Sequence, residues 1–205
     1  MQRVAIHVCG IFTKPGDTSN WTSRAVTWTH LNRPDHRAES FEYFTDALSR
    51  GAVTAYRGSK LAKKIGYYLD AGWMVDIVAH SNGANVVRLA LDELGWPKLG
   101  QVSLISPACP EDCDANGINM IQADLISIHI GTADMAMVIA DTLIGHALGF
   151  DDLGRRGPQN VKTNVPIQVV RHDGWGHSTA FDAENFHDVM SVVVPESRTT
   201  TPVSG

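Results

Sequence analysis

The stretch from Met74 to Val87 constrains the fold more than any other part of the sequence. Its first residues, Met74 to Val78, are mostly apolar and rich in β-branched side chains, which is typical of a buried strand. The residues from Ala84 to Leu94 can form a helix. Between them lies Ala79-His80-Ser81-Asn82-Gly83, a turn in which small residues stand two positions before and after a serine. A strand that turns tightly into a helix is the building unit of α/β proteins.

This turn is close to the G-x-S-x-G nucleophile elbow, with Ala79 in place of the first glycine. A serine on such a turn is pushed out above the sheet, and small flanking residues keep the turn from clashing with its neighbours. The N-terminus of the following helix adds N–H donors and a positive dipole near any developing oxyanion. The alternative is an ordinary strand-to-helix turn in which Ser81 only caps the helix. The rest of the chain must distinguish the two.

Strand and helix patterns alternate along the sequence. Besides Met74–Val78, the sequence predicts strands over Arg3–Val8, Ala38–Phe44, Gln101–Ser106, Leu125–Ile130 and Val165–Arg171. It predicts further helices over Asn20–Asn32, Ser59–Ala71, Met135–Leu148 and Ala180–Val194. The second of these would begin after a break at Gly58, with Ser59 as its N-cap. Ala52–Tyr56 fits a short strand or part of a helix. We therefore expect an α/β fold with a mostly parallel sheet of about six strands flanked by helices. We expect residues 1–194 to form one domain and residues 195–205 to form a disordered tail.

The composition excludes several classes of protein. The chain has 205 residues, 43% of them hydrophobic, and a net charge of −5 without long runs of one sign. This argues against nucleic acid or an anionic membrane as the main partner. The three cysteines, Cys9, Cys109 and Cys113, form no disulfide framework, and the C-x-x-x-C spacing is a weak metal motif. No apolar run spans a bilayer and no signal peptide follows Met1, so we expect a cytoplasmic protein without integral membrane association.

In a parallel sheet, the chemistry lies beyond the carboxyl ends of the strands. The predicted strands deliver Ser81, then Asp134, and finally His172, Asp173 and His177 to that edge. A hydroxyl, a carboxylate and an imidazole thus arrive in the chain order Ser, Asp, His. That order is the one of the α/β-hydrolase arrangement.

The chain resembles the α/β-hydrolases, and in particular the small lidless bacterial lipases and esterases, over most of its length from Arg3 to about Val194. Ala79–Gly83 is similar to the elbow of these enzymes, in which alanine also replaces the first glycine. His7–Phe12 resembles their His-Gly loop after the first central strand. Gly131–Asp134 resembles their acid loop, and Gly176–Ser178 their histidine loop. The resemblance implies a fold without a substantial lid.

The resemblance also implies a role for each site residue. Ser81 would be the nucleophile, and His177 the base that takes its proton and later protonates the leaving group. Asp134 would hold the imidazole in the correct tautomer. The backbone N–H groups of Asn82 and Ile11 would form the oxyanion hole. No cofactor or metal is implied.

Several of these residues have rivals in the sequence. His172 and His187 compete with His177 for the role of base, although His172 directly follows its strand and His187 falls in a predicted helix. Asp173 is a weaker rival for the acid. Asp134 could instead be the N-cap of the helix predicted after it.

The loops around the predicted triad supply candidates for the residues that surround the substrate. Phe12, Trp21 and Trp175 are candidates for an apolar wall of the substrate pocket, and His80 is expected to pack or to line the site. Cys9 stands where the family usually has a histidine before the glycine, which leaves the course of the oxyanion loop open.

We expect a carboxylic ester hydrolase acting on short to medium acyl chains of a small-molecule substrate. Thioesters and amides share the same chemistry. A non-catalytic protein with the same fold is one alternative, although it would usually lack a member of the triad. A nucleotide-binding protein is another, but it would need a Gly-rich phosphate-binding motif, which the segment after the first predicted strand does not contain. The sequence does not predict the oligomeric state.

Overall fold

The computed structural model describes residues 1–11, 13–44, 50–134 and 153–196. Its strands form one sheet in the order β2-β1-β3-β4-β5-β6, and all neighbouring strands are parallel. The strands are β1 (Arg3–Val8), β2 (His36–Phe41), β3 (Met74–His80), β4 (Lys98–Ile105), β5 (Gln122–Gly131) and β6 (Ile167–His172). The predicted α/β fold with a six-stranded parallel sheet is confirmed, and it is consistent with an α/β-hydrolase.

Helices cover both faces of this sheet. They are α1 (Trp21–Asn32), α2 (Arg50–Asp70), α3 (Gly83–Glu93), the short α4 (Leu153–Arg156) and α5 (Ala183–Val193). Helices α2 and α3 pack on one face and share a large apolar cluster with β1 and β3, whereas α1 and α5 bury a smaller cluster on the opposite face. Burial of apolar surface on both faces explains why the central strands consist of almost continuous hydrophobic residues.

Helix α2 differs from the sequence prediction. It begins at Arg50, so that Ala52–Tyr56 is helical, Gly58 does not interrupt the helix and Ser59 is not its N-cap. A Cβ atom at Gly58 would lie 2.8 Å from the Cβ of Leu89 in α3. The glycine therefore permits the close approach of two helices rather than ending one. The helix ends at Asp70, one residue before the predicted Ala71, and Gly72 follows with a φ of +77°, as is typical after a helix C-terminus.

Three predictions lie wholly or partly outside the described residues. They are the placement of Phe12, the helix over Met135–Leu148 and most of the tail predicted over 195–205. The last helix begins at Ala183 rather than Ala180, because Thr179–Phe181 forms a 3₁₀ turn before it. Among the helices of the described segments, none combines the length and the apolar character needed to cross a membrane.

Candidate active site

Ser81 lies at the carboxyl end of β3, in the turn that leads into α3. Its φ is +54°, in the left-handed region that a residue other than glycine seldom adopts. Its N–H donates to the carbonyl of Ile105, and its own carbonyl accepts from the N–H groups of Ala84 and Ala108. These bonds to the neighbouring strand end and loop hold the serine in a strained conformation, as an elbow requires.

Two glycines bring the loop after β1 against this turn. A Cβ atom at Gly83 would lie 2.6 Å from the carbonyl oxygen of Cys9 and 2.8 Å from that of Val8. One at Gly10 would lie 2.9 Å from the Cβ of Ser81. Both contacts are too close for any side chain, so the sequence needs glycine at both places. The first loop consequently lies directly against the serine.

His177 joins Ser81 to Asp134 by two hydrogen bonds. Its Nε2 lies 2.9 Å from Ser81 Oγ, and its Nδ1 lies 2.8 Å from Asp134 Oδ2. A carboxylate accepts from Nδ1–H, which leaves the lone pair of Nε2 facing the serine hydroxyl. Ser81 and Asp134 are buried, while the His177 side chain is 23% exposed. The structure thus brings together Ser81, His177 and Asp134, the three residues that the sequence predicts as a triad.

The acid loop after β5 and the histidine loop after β6 are bonded to each other. The N–H of Ala133 donates to the carbonyl of Trp175 at 3.0 Å, and that of Thr132 donates to the carbonyl of His172 at 3.1 Å. A Cβ atom at Gly131 would lie 2.6 Å from the Trp175 oxygen. This tight pairing of the two loops fixes where Asp134 meets His177.

The structure gives the rival residues other partners. His172 hydrogen-bonds His129 at 3.0 Å and stacks on Trp175 at 3.7 Å between ring centres, and Asp173 is exposed. His187 accepts from the indole N–H of Trp28 at 3.0 Å. None of the three makes a hydrogen bond to Ser81 within the described residues.

The helix-cap alternative fails for Ser81. The N-cap residue of α3 is Asn82, whose side chain makes no capping hydrogen bond. The hydroxyl of Ser81 instead meets the imidazole of His177. The cap alternative for Asp134 concerns residues beyond 134, which lie outside the described segments.

The backbone N–H groups of the two predicted oxyanion donors have no acceptor among the described residues. Within the described parts of the chain, the N–H of Asn82 and that of Ile11 donate to no carbonyl or side chain. Free donors beside a serine at a helix N-terminus suit an oxyanion. The amide side chain of Asn82, which is buried, donates to Thr54 Oγ1 at 3.0 Å and to the Tyr43 hydroxyl at 3.3 Å. Sequence reasoning missed these two partners, because both are distant along the chain.

Cys9 anchors the first loop to the segment after β2. Its Sγ accepts from the N–H of Tyr43 at 3.3 Å and lies 3.6 Å from the Tyr43 carbonyl. Burial raises the pKa of the Cys9 thiol to about 11, so the thiol stays protonated. It therefore serves as a neutral hydrogen-bonding group at the position where the resembled family has histidine.

The three predicted pocket residues do not form one wall in the described structure. Phe12 lies outside it. Trp21 is almost fully covered, stacked on Phe181 at 4.4 Å and edge-on to His80. Trp175 is partly buried and stacked on His172. Both tryptophans support the site from the α1 and α5 face, and their contact with a substrate stays a prediction.

The described residues include no cluster of three or more histidine, cysteine, aspartate or glutamate side chains that could hold a metal ion. Cys109 and Cys113, which gave the C-x-x-x-C spacing, are buried, and neither forms a disulfide bond within the described residues.

No protein-family model matches this sequence, and no curated protein is similar to it. Among solved structures, the chain is similar to a phospholipase, PlaB from Legionella pneumophila, solved in complex with thio-NAD. The two are 16% identical, with a TM-score of 0.37, over 52% of this chain and 25% of that one. The chain thus spans about a quarter of the length of that phospholipase. A likeness this weak carries no information about activity, which has to come from the site.

Proposed function

We propose that the protein is a serine hydrolase that cleaves carboxylic esters through an acyl-enzyme on Ser81. One observation carries the proposal, namely the hydrogen-bonded chain from Ser81 Oγ through the His177 imidazole to Asp134. A serine hydroxyl is a weak nucleophile at neutral pH, and an imidazole at 2.9 Å with a free lone pair is the group that activates it. The buried Asp134 favours the cationic form that His177 takes on in the reaction.

In the first half of the reaction, Ser81 Oγ attacks the carbonyl carbon of the ester while His177 Nε2 takes the hydroxyl proton. The carbonyl oxygen becomes an oxyanion, which accepts from the N–H groups of Asn82 and Ile11. The intermediate collapses, the bond to the alcohol oxygen breaks, and His177 returns the proton to the leaving alcohol. Water then attacks the acyl-enzyme by the same path and releases the carboxylic acid and Ser81.

A set of p-nitrophenyl esters with increasing acyl length tests the proposal, with the variant Ser81→Ala and the matched control Ser191→Ala. Ser191 is an exposed serine in α5. We expect turnover of short to medium chains, its loss on the order of 10⁶-fold in Ser81→Ala as for other serine triads, and little change in Ser191→Ala. A thioester and an anilide in the same assay rank the other acyl substrates.

Wild-type protein that cleaves none of these substrates would favour a non-catalytic scaffold instead. Turnover that survives in Ser81→Ala would show that the activity does not depend on this serine. Either outcome contradicts the proposal.

A further inference from the structure

His80, which directly precedes Ser81, makes a hydrogen bond that the triad itself does not explain. Its Nε2 lies 2.9 Å from the backbone carbonyl oxygen of His177. The strand that carries the nucleophile is thus bonded to the main chain of the histidine loop, although the two residues are 97 positions apart. Because side chains alternate along a strand, His80 points to the same face as Val78, toward α1 and α5.

We propose that His80 is a positioning residue that holds the His177 loop against the nucleophile turn through this Nε2–H···O bond. The inference rests on the proposed function. The ring nitrogens of His177 face Ser81 and Asp134, and its carbonyl faces His80. Three bonds in different directions fix both the place and the rotation of the imidazole. A reacting group that shifts by about 1 Å can lose on the order of 100-fold in rate.

The bond requires one tautomer of His80. A carbonyl oxygen only accepts, so the Nε2 of His80 must carry the hydrogen. The ring is enclosed by the rings of His177, Phe181 and Trp21, whose centres lie 4.8, 4.9 and 6.3 Å away. These rings exclude water that would compete for the carbonyl, which makes the hydrogen bond stronger than it would be at the surface.

His80 also has to stay neutral to serve this purpose. Burial, together with repulsion from His177 and despite the favourable charge of Asp134, lowers the pKa of His80 to about 3. A neutral ring does not oppose the positive charge that forms on His177 during acyl transfer. A second cation at 4.8 Å would do so.

Three substitutions of His80 separate the hydrogen bond from the packing of the ring, and a fourth variant supplies the background. His80→Gln places an amide N–H near the position of Nε2, whereas the amide of His80→Asn reaches only as far as Nδ1. His80→Phe keeps a ring and removes the donor. Ser81→Ala defines the background. Activity toward p-nitrophenyl butyrate is measured per active site, after titration with a fluorophosphonate, as kcat and KM from pH 5 to 9.

We expect kcat to fall about 10- to 100-fold in His80→Phe and His80→Asn, with KM within about twofold of the parent. His80→Gln should recover most of the loss, because it restores the donor without the ring. The apparent pKa of the base in the kcat/KM profile should move in the two variants that cannot donate to the His177 carbonyl, His80→Phe and His80→Asn, and return in His80→Gln. If His80 only supported folding, its substitution would lower the number of titrated active sites and leave kcat per active site unchanged.

Equal rates for His80→Gln and His80→Asn would overturn the inference even if His80→Phe does not fold. A kcat for His80→Asn within twofold of the parent would overturn the inference as well. If Ser81→Ala is inactive in the same experiment, the proposed function still stands. If the parent is no more active than Ser81→Ala, the proposed function fails and the inference fails with it.

Discussion

A buried aspartate faces a histidine at each end of the sheet, and the two pairs do different things. At the amino ends of the strands, Asp76 Oδ2 lies 3.7 Å from His36 Nε2. At the carboxyl ends, Asp134 Oδ2 lies 2.8 Å from His177 Nδ1. Both carboxylates are completely covered. The residue types alone therefore do not tell which pair is catalytic.

The difference lies in the other partners of each pair. Asp76 accepts two hydrogen bonds from the Arg3 guanidinium, at 2.5 and 2.9 Å, and a third from the N–H of Gln101 at 2.7 Å. Its charge is thus neutralised by a cation, and the side chain of His36 is buried. The imidazole of His177 is partly exposed and meets a hydroxyl on its far side. A carboxylate–histidine pair becomes a catalytic candidate when a nucleophile and access to solvent complete it.

The substitution Asp134→Asn should have the largest effect on activity. An amide at this place favours the wrong tautomer of His177, and the same change in another serine triad lowers kcat on the order of 10⁴-fold. The measurement is kcat for a p-nitrophenyl ester, with the thermal midpoint recorded alongside. A variant that keeps more than about a tenth of the parent rate would contradict a role for Asp134 in orienting the base.

The substitution Asp76→Asn should affect stability instead. Removal of the carboxylate leaves the partly buried Arg3 without its counter-charge, and breaking a buried pair in this way typically costs about 3–5 kcal/mol in the free energy of unfolding. Urea denaturation measures this loss, and kcat per titrated active site should stay near that of the parent. The matched control is Asp124→Asn, because Asp124 pairs with the exposed Lys98 at 3.3 Å and such pairs contribute about 0–1 kcal/mol. Equal losses in the two variants would remove the distinction between the pairs.

The smallest expected effect concerns His7, between the two ends of the sheet in β1. Burial, aided by His30, lowers the pKa of His7 to about 3. Below pH 6.5 the unfolded chain binds a proton here that the folded protein does not. This contribution to stability is therefore lost as the pH falls from about 6.5 toward 3. His80 and His129 act in the same direction, because burial lowers their pKa values to about 3 and 4.

The variant His7→Gln tests this pH dependence by urea denaturation at several pH values between 4.5 and 6. The slope of the unfolding free energy against pH should decrease by about 1.4 kcal/mol per pH unit, which corresponds to one proton. An unchanged slope would mean that His7 is already protonated in the folded protein.

The sequence predicted the centre of the site because its pattern is local. The apolar run before Ser81, the small residues around it and the helix after it lie within about 20 positions, and the parallel topology places Asp134 and His177 at the same sheet edge. Contacts between distant segments were not predictable in this way. The bond from His80 to His177 and the ion pair of Arg3 and Asp76 depend on packing that no spacing encodes.

The same reason explains the error in α2. A glycine usually weakens a helix, so the sequence favours a break at Gly58. In the fold this glycine lies against Leu89, where a larger residue would hold the two helices apart. Tertiary packing thus overrides local propensity.

Labelling with a fluorophosphonate, followed by mapping of the adduct by mass spectrometry, tests the proposed triad most directly. Ser81 Oγ should displace fluoride from phosphorus while its proton passes to His177, which gives one adduct per chain on the peptide that contains Ser81. Ser81→Ala should not be labelled, His177→Ala should react far more slowly, and His172→Ala should react like the parent. An unlabelled parent, an adduct on another residue, or a loss of labelling in His172→Ala but not in His177→Ala would contradict the account.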